Sequence, residues 1–141
     1  MVSVFAGVGG FDLGLERAGF TVTDQVEREP FCQRVLAARW PHATRWPDVR
    51  EWTGHGHESV DLLCGGFPCQ DLSVAGRRAG LGGARSGLFW EIVRIAKEIR
   101  PTWGLFENVP GLFSSDAGRD LATVLEGLRL CWPVVGYRVL D

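Results

Sequence analysis

The hydrophobic positions of the chain fall into two alternating kinds of segment. Short apolar runs, bounded by glycine, proline or polar residues, predict strands at residues 2–5, 21–27, 44–46, 60–64, 102–106 and 134–140. Longer stretches with helical periodicity predict helices at residues 11–18, 30–40, 87–99 and 119–130. Strand and helix in alternation indicate an α/β fold, in which crossover helices cover both faces of a mostly parallel sheet.

The composition is that of one globular domain, with 141 residues of which 45% are hydrophobic. The apolar runs are far shorter than the roughly 20 residues of a membrane helix, and the N-terminus lacks the basic start of a signal peptide. The four cysteines lack zinc-ligand spacing, so we expect reduced thiols, a cytoplasmic protein and no membrane partner. The net charge of −2 argues against a protein that grips DNA mainly through its own surface.

Glycine is abundant, at 19 of 141 residues, and one cluster directly follows the first predicted strand. In the segment Phe5-Ala6-Gly7-Val8-Gly9-Gly10, glycines let the backbone turn tightly and approach a ligand. Glu27 ends the second predicted strand, and a carboxylate there can accept hydrogen bonds from ribose hydroxyls. Since parallel sheets bind ligands at the carboxyl ends of their strands, the pair indicates a nucleoside-containing cofactor. The alternative is a plain turn beside a surface glutamate.

Two further polar positions follow predicted strands. Asp48 follows the third strand and can accept a hydrogen bond from an adenine amino group, although Asp after Pro is also typical of a turn. Glu107 and Asn108 follow the fifth strand, where a carboxylic acid beside an amide suits a proton donor with its orienting partner. A turn cap is the alternative there. The three histidines lie in polar stretches, and the chain offers no evident third ligand for a metal, so we expect none.

Cys69 is the candidate nucleophile. The strand before it ends in Gly-Gly, and Pro68 fixes the chain just ahead of the thiol. Because positive charge increases the thiolate fraction, the nearby arginines 77, 78 and 85 would activate this thiol or grip a phosphate. Cys64 lies within the apolar strand and is interpreted as a structural cysteine.

Together these segments resemble the cytosine-C5 DNA methyltransferases of bacterial and phage restriction–modification systems. Residues 5–11 resemble the cofactor motif of that family, Pro68-Cys69-Gln70 its nucleophile motif, and Glu107-Asn108-Val109 its base-recognition motif, in the same order. The resemblance implies a Rossmann-like methyltransferase sheet, S-adenosyl-L-methionine as the cofactor, and double-stranded DNA as the substrate. The implied activity is that of a DNA (cytosine-5-)-methyltransferase.

The resemblance also implies a role for each matching residue. Cys69 would attack C6 of cytosine, Glu107 would contact N3 and the exocyclic amine, and Asn108 would brace the loop that carries Cys69. The implied cofactor-binding residues are Phe5, Ala6, Gly7, Gly9, Gly10, Glu27, Asp48, Val49 and Pro68. The implied DNA-binding residues are Gln70, Ser73, Arg77, Arg78 and Arg85, in a loop at 70–87 that would close over DNA.

The resemblance stops before the target-recognition domain of the family and its C-terminal return to the sheet. We therefore expect residues 1–141 to be the N-terminal part of a catalytic domain, truncated before the last strands, with a second chain as a candidate source of the remainder. Such a sheet would expose an edge strand and an apolar face, and with them Trp132 and Tyr137 in part. Ser3 departs from the family, in which an acidic residue is frequent at that position.

Three interpretations follow from the sequence. The first is the catalytic part of a cytosine-C5 methyltransferase, incomplete when isolated. The second is a catalytically inactive cofactor-binding fragment of such an enzyme, and the third is an unrelated thiol enzyme on a similar sheet. An RNA-directed relative of the same family also stays open.

Overall fold

The computed structural model describes residues 1–54, 56, 60–68 and 87–140. Within these ranges the chain forms five strands and four α-helices. The strands are β1 (Val2–Val4), β2 (Asp24–Val26), β3 (Thr44–Trp46), β4 (Leu62–Gly66) and β5 (Trp103–Glu107). The helices are α1 (Gly10–Arg17), α2 (Pro30–Arg39), α3 (Leu88–Ile99) and α4 (Arg119–Arg129). Two 3₁₀ turns, Pro110–Phe113 and Ser115–Gly118, connect β5 to α4.

The strands form one sheet in the order β3-β2-β1-β4-β5, and every pairing is parallel. Val4, at the end of β1, lies opposite Val26 and Gly65, and Gly66 lies opposite Glu107. The predicted α/β class with a mostly parallel sheet is therefore confirmed. The carboxyl ends of the strands meet at one edge of the sheet.

Helices pack on both faces of the sheet, and β4 shows how alternation separates them. Leu63 belongs to the core on the side of α3 and α4, whereas Leu62 and Cys64 belong to the core on the side of α1 and α2. Successive strand residues point to opposite faces, so a continuously apolar strand is what two covered faces require. All three side chains are at most 3% exposed.

The bounds of α2 and α3 follow from their local sequence. Pro30 occupies the first turn of α2, and the Glu29 carboxylate accepts a hydrogen bond from the Phe31 N–H, which caps that helix. The apolar stripe of α3 includes Ile92, Ile95 and Ile99, all at most 2% exposed. The helix ends at Arg100, with φ of 47°, just before Pro101. No helix among the described residues is long and apolar enough to span a membrane.

Two expectations about the C-terminal region are wrong. Residues 134–140 form no strand, because no neighbouring strand pairs with them, and Val134 and Leu140 are 86% and 80% exposed. Trp132 is buried rather than exposed: its Nε1–H donates to the Pro101 carbonyl, and its ring packs edge-on against Phe106. Tyr137 is exposed, as expected.

The strand β5 is one of the two edge strands of the described sheet. Its Trp103 and Leu105 lie opposite Leu62 and Cys64, so they share the face that α1 and α2 cover farther along the sheet. On β5 this face is uncovered, and Trp103 and Leu105 are 66% and 43% exposed. The other face is covered, because Trp132 packs within contact distance of Gly104.

Candidate functional site

The glycine-rich loop after β1 turns sharply at the carboxyl edge of the sheet. Phe5, Gly7 and Gly9 all have positive φ, and the Gly9 N–H donates to the Ala6 carbonyl at 2.9 Å. A Cβ at Gly9 would lie 2.5 Å from the Trp40 ring, so this glycine is required by both its φ and its packing. A Cβ at Gly7 would meet nothing within 4 Å. The loop therefore combines a packed inner side with an open outer side, and Gly10 begins α1 directly behind it.

Glu27 joins the loop after β1 to the loop after β2. One carboxylate oxygen accepts the Gly7 N–H at 2.8 Å and the other accepts the Glu29 N–H at 2.7 Å. Its backbone N–H donates to the Trp46 carbonyl, which extends the connection to β3. Since each carboxylate oxygen can accept two hydrogen bonds, Glu27 retains acceptor capacity for a ligand hydroxyl. Glu27 is thus a fixed part of the loop rather than an isolated surface side chain.

A buried polar cluster lies beneath the loop, and the sequence analysis missed its centre, Asp12. The Asp12 carboxylate accepts hydrogen bonds from the Ser3 hydroxyl at 3.0 Å and the Gln25 amide at 2.8 Å, and none of the three side chains is exposed. Burial raises the pKa of Asp12, while the hydrogen bonds from Gln25 and Ser3 lower it. An acidic residue at position 3 would bring a second carboxylate against Asp12, so Ser3 suits this cluster. The only sequence signal was an acid between Phe11 and Leu13 in a helix start.

Asp48 lies in a turn after β3 that faces the glycine loop. One carboxylate oxygen accepts the Arg50 N–H at 3.0 Å, as the turn interpretation expects, and the other lies 3.6 Å from the Arg50 guanidinium. The same residue lines a cleft at the edge of the sheet. That cleft is bordered by Phe5, Val26, Glu27, Arg28, Pro47, Asp48, Val49, Arg50 and Leu88. Four of the predicted cofactor-binding residues, from the loops after three different strands, thus surround one cleft.

Arg94, on α3, holds the loop that follows β3, and the sequence analysis did not identify it. Its Nη2 donates to the carbonyls of Val49 and Trp52 at 2.9 and 3.0 Å. Its Nε and Nη1 donate to the carboxylates of Glu91 and Glu98 at 2.7 and 2.9 Å. From sequence alone Arg94 reads as a helix-surface residue paired with these two glutamates.

The ends of β4 and β5 bring Glu107 and Asn108 beside the start of the Cys69 segment. The Asn108 amide donates to the Phe67 carbonyl at 2.8 Å, and its oxygen accepts the Val109 N–H. The Phe67 ring is 5% exposed and packs against Phe89, with ring centroids 5.2 Å apart. The chain just ahead of Cys69 is therefore anchored twice, by an apolar ring and by an amide.

The Glu107 carboxylate lies against the end of β4. A Cβ at Gly66 would be only 2.8 Å from Glu107 Oε2, so the glycine leaves room for this side chain. Glu107 itself is exposed. Pro68 is exposed and is the last described residue before a gap. The candidate nucleophile Cys69 and the predicted DNA-binding residues Gln70, Ser73, Arg77, Arg78 and Arg85 lie outside the described residues.

The remaining candidates for chemistry are Cys64 and the three histidines. Cys64 is fully buried, and burial, with Asp12 nearby, raises its thiol pKa to about 12, which suits a structural cysteine. His42 is exposed, and His55 and His57 lie outside the described residues. In the part of the chain that the structure describes, no group of three or more His, Cys, Asp or Glu side chains could hold a metal ion.

Comparisons of the sequence with known proteins agree on one family. A protein-family model described as C-5 cytosine-specific DNA methylase matches residues 1–140. The type II methyltransferase M.PspPI of Psychrobacter sp. strain TA137 is 39% identical over 143 residues, which cover 100% of this chain and 33% of that protein. M2.BsuMI of Bacillus subtilis strain 168, also a type II methyltransferase, is 36% identical over 148 residues, which cover 100% of this chain and 37% of that protein.

A solved structure shows the same fold. It is described as a DNA modification methyltransferase encoded within an E. coli prophage, and it matches with a TM-score of 0.71 at 26% identity. The match covers 90% of this chain and 36% of that one. The chain therefore spans about a third of the length of the relatives it matches.

Proposed function

Because the chain belongs to the C-5 cytosine-specific DNA methylase family, we propose that it carries the cofactor pocket and the nucleophile of a DNA (cytosine-5-)-methyltransferase. One observation supports this most directly: Phe5, Glu27 and Asp48, from loops after three neighbouring strands, surround a single cleft. Glu107, the last residue of β5, and Asn108, which follows it, lie at the same edge of the sheet. Cofactor-binding and base-contacting residues thus share one edge, as methyl transfer between two bound molecules requires.

The residues around the cleft fit S-adenosyl-L-methionine. Phe5, Val49 and Leu88 offer apolar surface for an adenine ring, and Glu27 has acceptor capacity for the ribose hydroxyls. Asp48 with Val49 would read the adenine edge. Ala6, Gly7, Gly9, Gly10 and Pro68 would form the wall around the methionine part, and the open space outside Gly7 suits close approach of a ligand. When bound, this cofactor supplies an electrophilic methyl group at its sulfonium.

The proposed role of the chain is to make C5 of cytosine nucleophilic. The Cys69 thiolate adds to C6, Glu107 donates a proton to N3, and the electron pair of the opened double bond becomes available at C5. After C5 has been methylated, its proton passes to water, the N3 proton returns to Glu107, and departure of the Cys69 thiolate restores the aromatic ring. Covalent addition divides one difficult step into easier ones. Because C6 is inaccessible within a duplex, the cytosine must be flipped out of double-stranded DNA.

Asn108 would act on the nucleophile through the backbone. Its hydrogen bond to the Phe67 carbonyl joins the end of β5 to the chain two residues before Cys69. A thiolate that must meet C6 needs a fixed approach, and small displacements of reacting groups cost rate. Gln70, Ser73, Arg77, Arg78 and Arg85 are the proposed DNA contacts on the segment that follows.

The remaining two thirds of a relative's length would complete the catalytic domain and add the target-recognition domain, from a longer polypeptide or a second chain. The uncovered face of β5 supports this, because Trp103 and Leu105 expose apolar surface where the sheet ends. The bacterial relatives favour action in a bacterial cytoplasm. The alternative function, an inactive cofactor-binding fragment, keeps the cleft but lacks the Cys69 chemistry.

The decisive experiment is a covalent trap. The chain would be combined with the C-terminal two thirds of M.PspPI and given cofactor and DNA in which every cytosine is 5-fluorocytosine, whose fluorine blocks release of the enzyme. We expect a denaturation-resistant adduct with the unaltered chain and with Cys32→Ser, but none with Cys69→Ser. An equal yield from Cys69→Ser would overturn the assignment. Cofactor binding without any adduct would favour the inactive fragment, and adduct formation only on 5-fluorocytosine RNA would identify an RNA-directed enzyme.

A further inference from the structure

The guanidinium of Arg94 has four hydrogen-bond partners, and two of them are backbone carbonyls from a distant loop. Val49 and Trp52 precede Arg94 by more than forty residues, and both carbonyls lie within 3.0 Å of Nη2. The other two partners, the carboxylates of Glu91 and Glu98, lie on α3 with Arg94. The two glutamates alone would account for an ordinary ion pair on the surface of a helix. The two carbonyl bonds make Arg94 a connection between α3 and the loop after β3.

The loop after β3 is joined to α3 by this connection and by the buried side chains of Val49 and Trp52, which share one apolar core with α3. Within the described residues, the other hydrogen bonds near Asp48 are internal to the turn: the Arg50 N–H and the Glu51 N–H both donate to Asp48. Farther along, the Gly54 N–H donates to Glu98 at 3.1 Å, and Glu98 is itself a partner of Arg94. The local turn therefore shapes Asp48, whereas the Arg94 hydrogen bonds, together with the buried side chains of Val49 and Trp52, fix where that turn lies relative to the cleft.

We propose that Arg94 is a positioning residue that sets the selectivity of the cleft for the 6-amino group of adenine. This inference rests on the proposed function, since it requires that Asp48 and Val49 face the adenine of the cofactor. By holding the Val49 carbonyl, Arg94 fixes the residue next to Asp48 and so the carboxylate that would accept the amino group. Lysine cannot replace it, because one ammonium cannot present donors to two carbonyls and two carboxylates in a planar fork.

The test compares two ligands, so that loss of stability is separated from loss of selectivity. S-adenosyl-L-homocysteine and its analogue with hydrogen in place of the 6-amino group would be titrated by ligand-observed NMR, which measures dissociation constants into the millimolar range. We expect the unaltered chain to prefer the amino ligand by roughly tenfold, since it alone donates to a carboxylate. In Arg94→Lys we expect the preference for the amino ligand over the analogue to fall to between about one and three, while the dissociation constant of the analogue changes little.

The matched control is Arg119→Lys. Arg119 forms a comparable ion pair with Asp116 three residues away, but it lies on α4, and its side-chain hydrogen bonds within the described residues go to Asp116 rather than to the loop after β3. We expect its ratio to equal that of the unaltered chain. Asp48→Asn should lower the ratio as Arg94→Lys does, and the double variant should lower it no further, because both changes act on the same contact.

The outcomes separate this inference from the proposed function. If the unaltered chain binds neither ligand, the proposed cofactor pocket itself fails. If it binds both and Arg94→Lys keeps the tenfold ratio, the pocket stands and the role of Arg94 is refuted. Should Arg94→Lys not fold, as judged by circular dichroism, Glu98→Gln retains the guanidinium and weakens only one partner. We then expect Glu98→Gln to lower the preference for the amino ligand by a smaller but measurable factor. An unchanged preference in this variant also refutes the role of Arg94.

Discussion

The two halves of the carboxyl edge are held in different ways. On the side of β2 and β3, each polar group has partners from the chain itself: Glu27 accepts from the Gly7 loop, and Arg94 secures the turn of Asp48. On the side of β5, Asn108 is bonded to Phe67, just after β4, but Glu107 ends a strand whose outer edge is unpaired among the described residues and whose Trp103 and Leu105 are exposed. The half proposed to bind the cofactor is therefore organised locally, whereas the half proposed to bind the base borders on an uncovered surface.

The largest loss of stability is expected from a side chain added at Gly9, where the glycine loop packs against the Trp40 ring. Gly9→Ala would place a Cβ 2.5 Å from the Trp40 ring at a φ of 87°, which combines overpacking with backbone strain. We expect the free energy of unfolding to fall by roughly 2–4 kcal/mol, as measured by urea denaturation.

Gly14→Ala is the control for this prediction, because a Cβ at this position of α1 meets nothing within 4 Å. There we expect a small gain, up to about 1 kcal/mol, since alanine favours the helix. Equal effects at the two glycines would show that the packing of the loop against Trp40 is not what requires Gly9.

The buried carboxylate below the loop gives a smaller effect with a defined pH dependence. Burial raises the pKa of Asp12 despite its hydrogen bonds, so the folded protein holds the proton more tightly than the unfolded chain. This contribution to stability is complete below the unfolded value of about 3.9 and is lost as the pH rises through the raised folded value. We therefore expect Asp12→Asn to gain stability relative to the unaltered chain as the pH increases from 4 to 7, measured as urea midpoints.

A comparison with Asp12→Ala shows whether the hydrogen bonds matter as well as the charge. Asparagine can accept from Gln25 and donate to the Ser3 hydroxyl, whereas alanine leaves both polar groups buried without their partner. We expect Asp12→Ala to be about 1–3 kcal/mol less stable than Asp12→Asn at every pH. Equal free energies of unfolding for the asparagine and alanine variants would contradict this account of the cluster.

The sequence predicted the features that depend on local pattern, but it did not predict those that depend on partners distant in the chain. Periodicity predicted the five strands and four helices, and because parallel strands end at one edge, it also predicted that residues after them would converge. Asp12 and Arg94 escaped prediction because their partners are distant in sequence and are partly backbone atoms, which no side-chain pattern reveals. The prediction of a strand at 134–140 was wrong because alternation indicates only an amphipathic segment, whereas a strand also needs a neighbouring strand to pair with.

A charge placed on the exposed face of β5 tests whether that face is a contact surface. It has the smallest expected effect on the stability of the chain itself. Leu105 is 43% exposed on the bare face, so Leu105→Lys should change the free energy of unfolding by no more than about 0.5 kcal/mol. If the rest of a methyltransferase covers this face, the same change must weaken assembly with the C-terminal part of M.PspPI, because a lysine would be buried without a partner. Sedimentation velocity of the mixture measures this, with Thr44→Lys on the opposite edge strand β3 as the control. Assembly weakened equally by both lysines would point to general charge rather than to β5, and assembly weakened by neither would place the contact elsewhere.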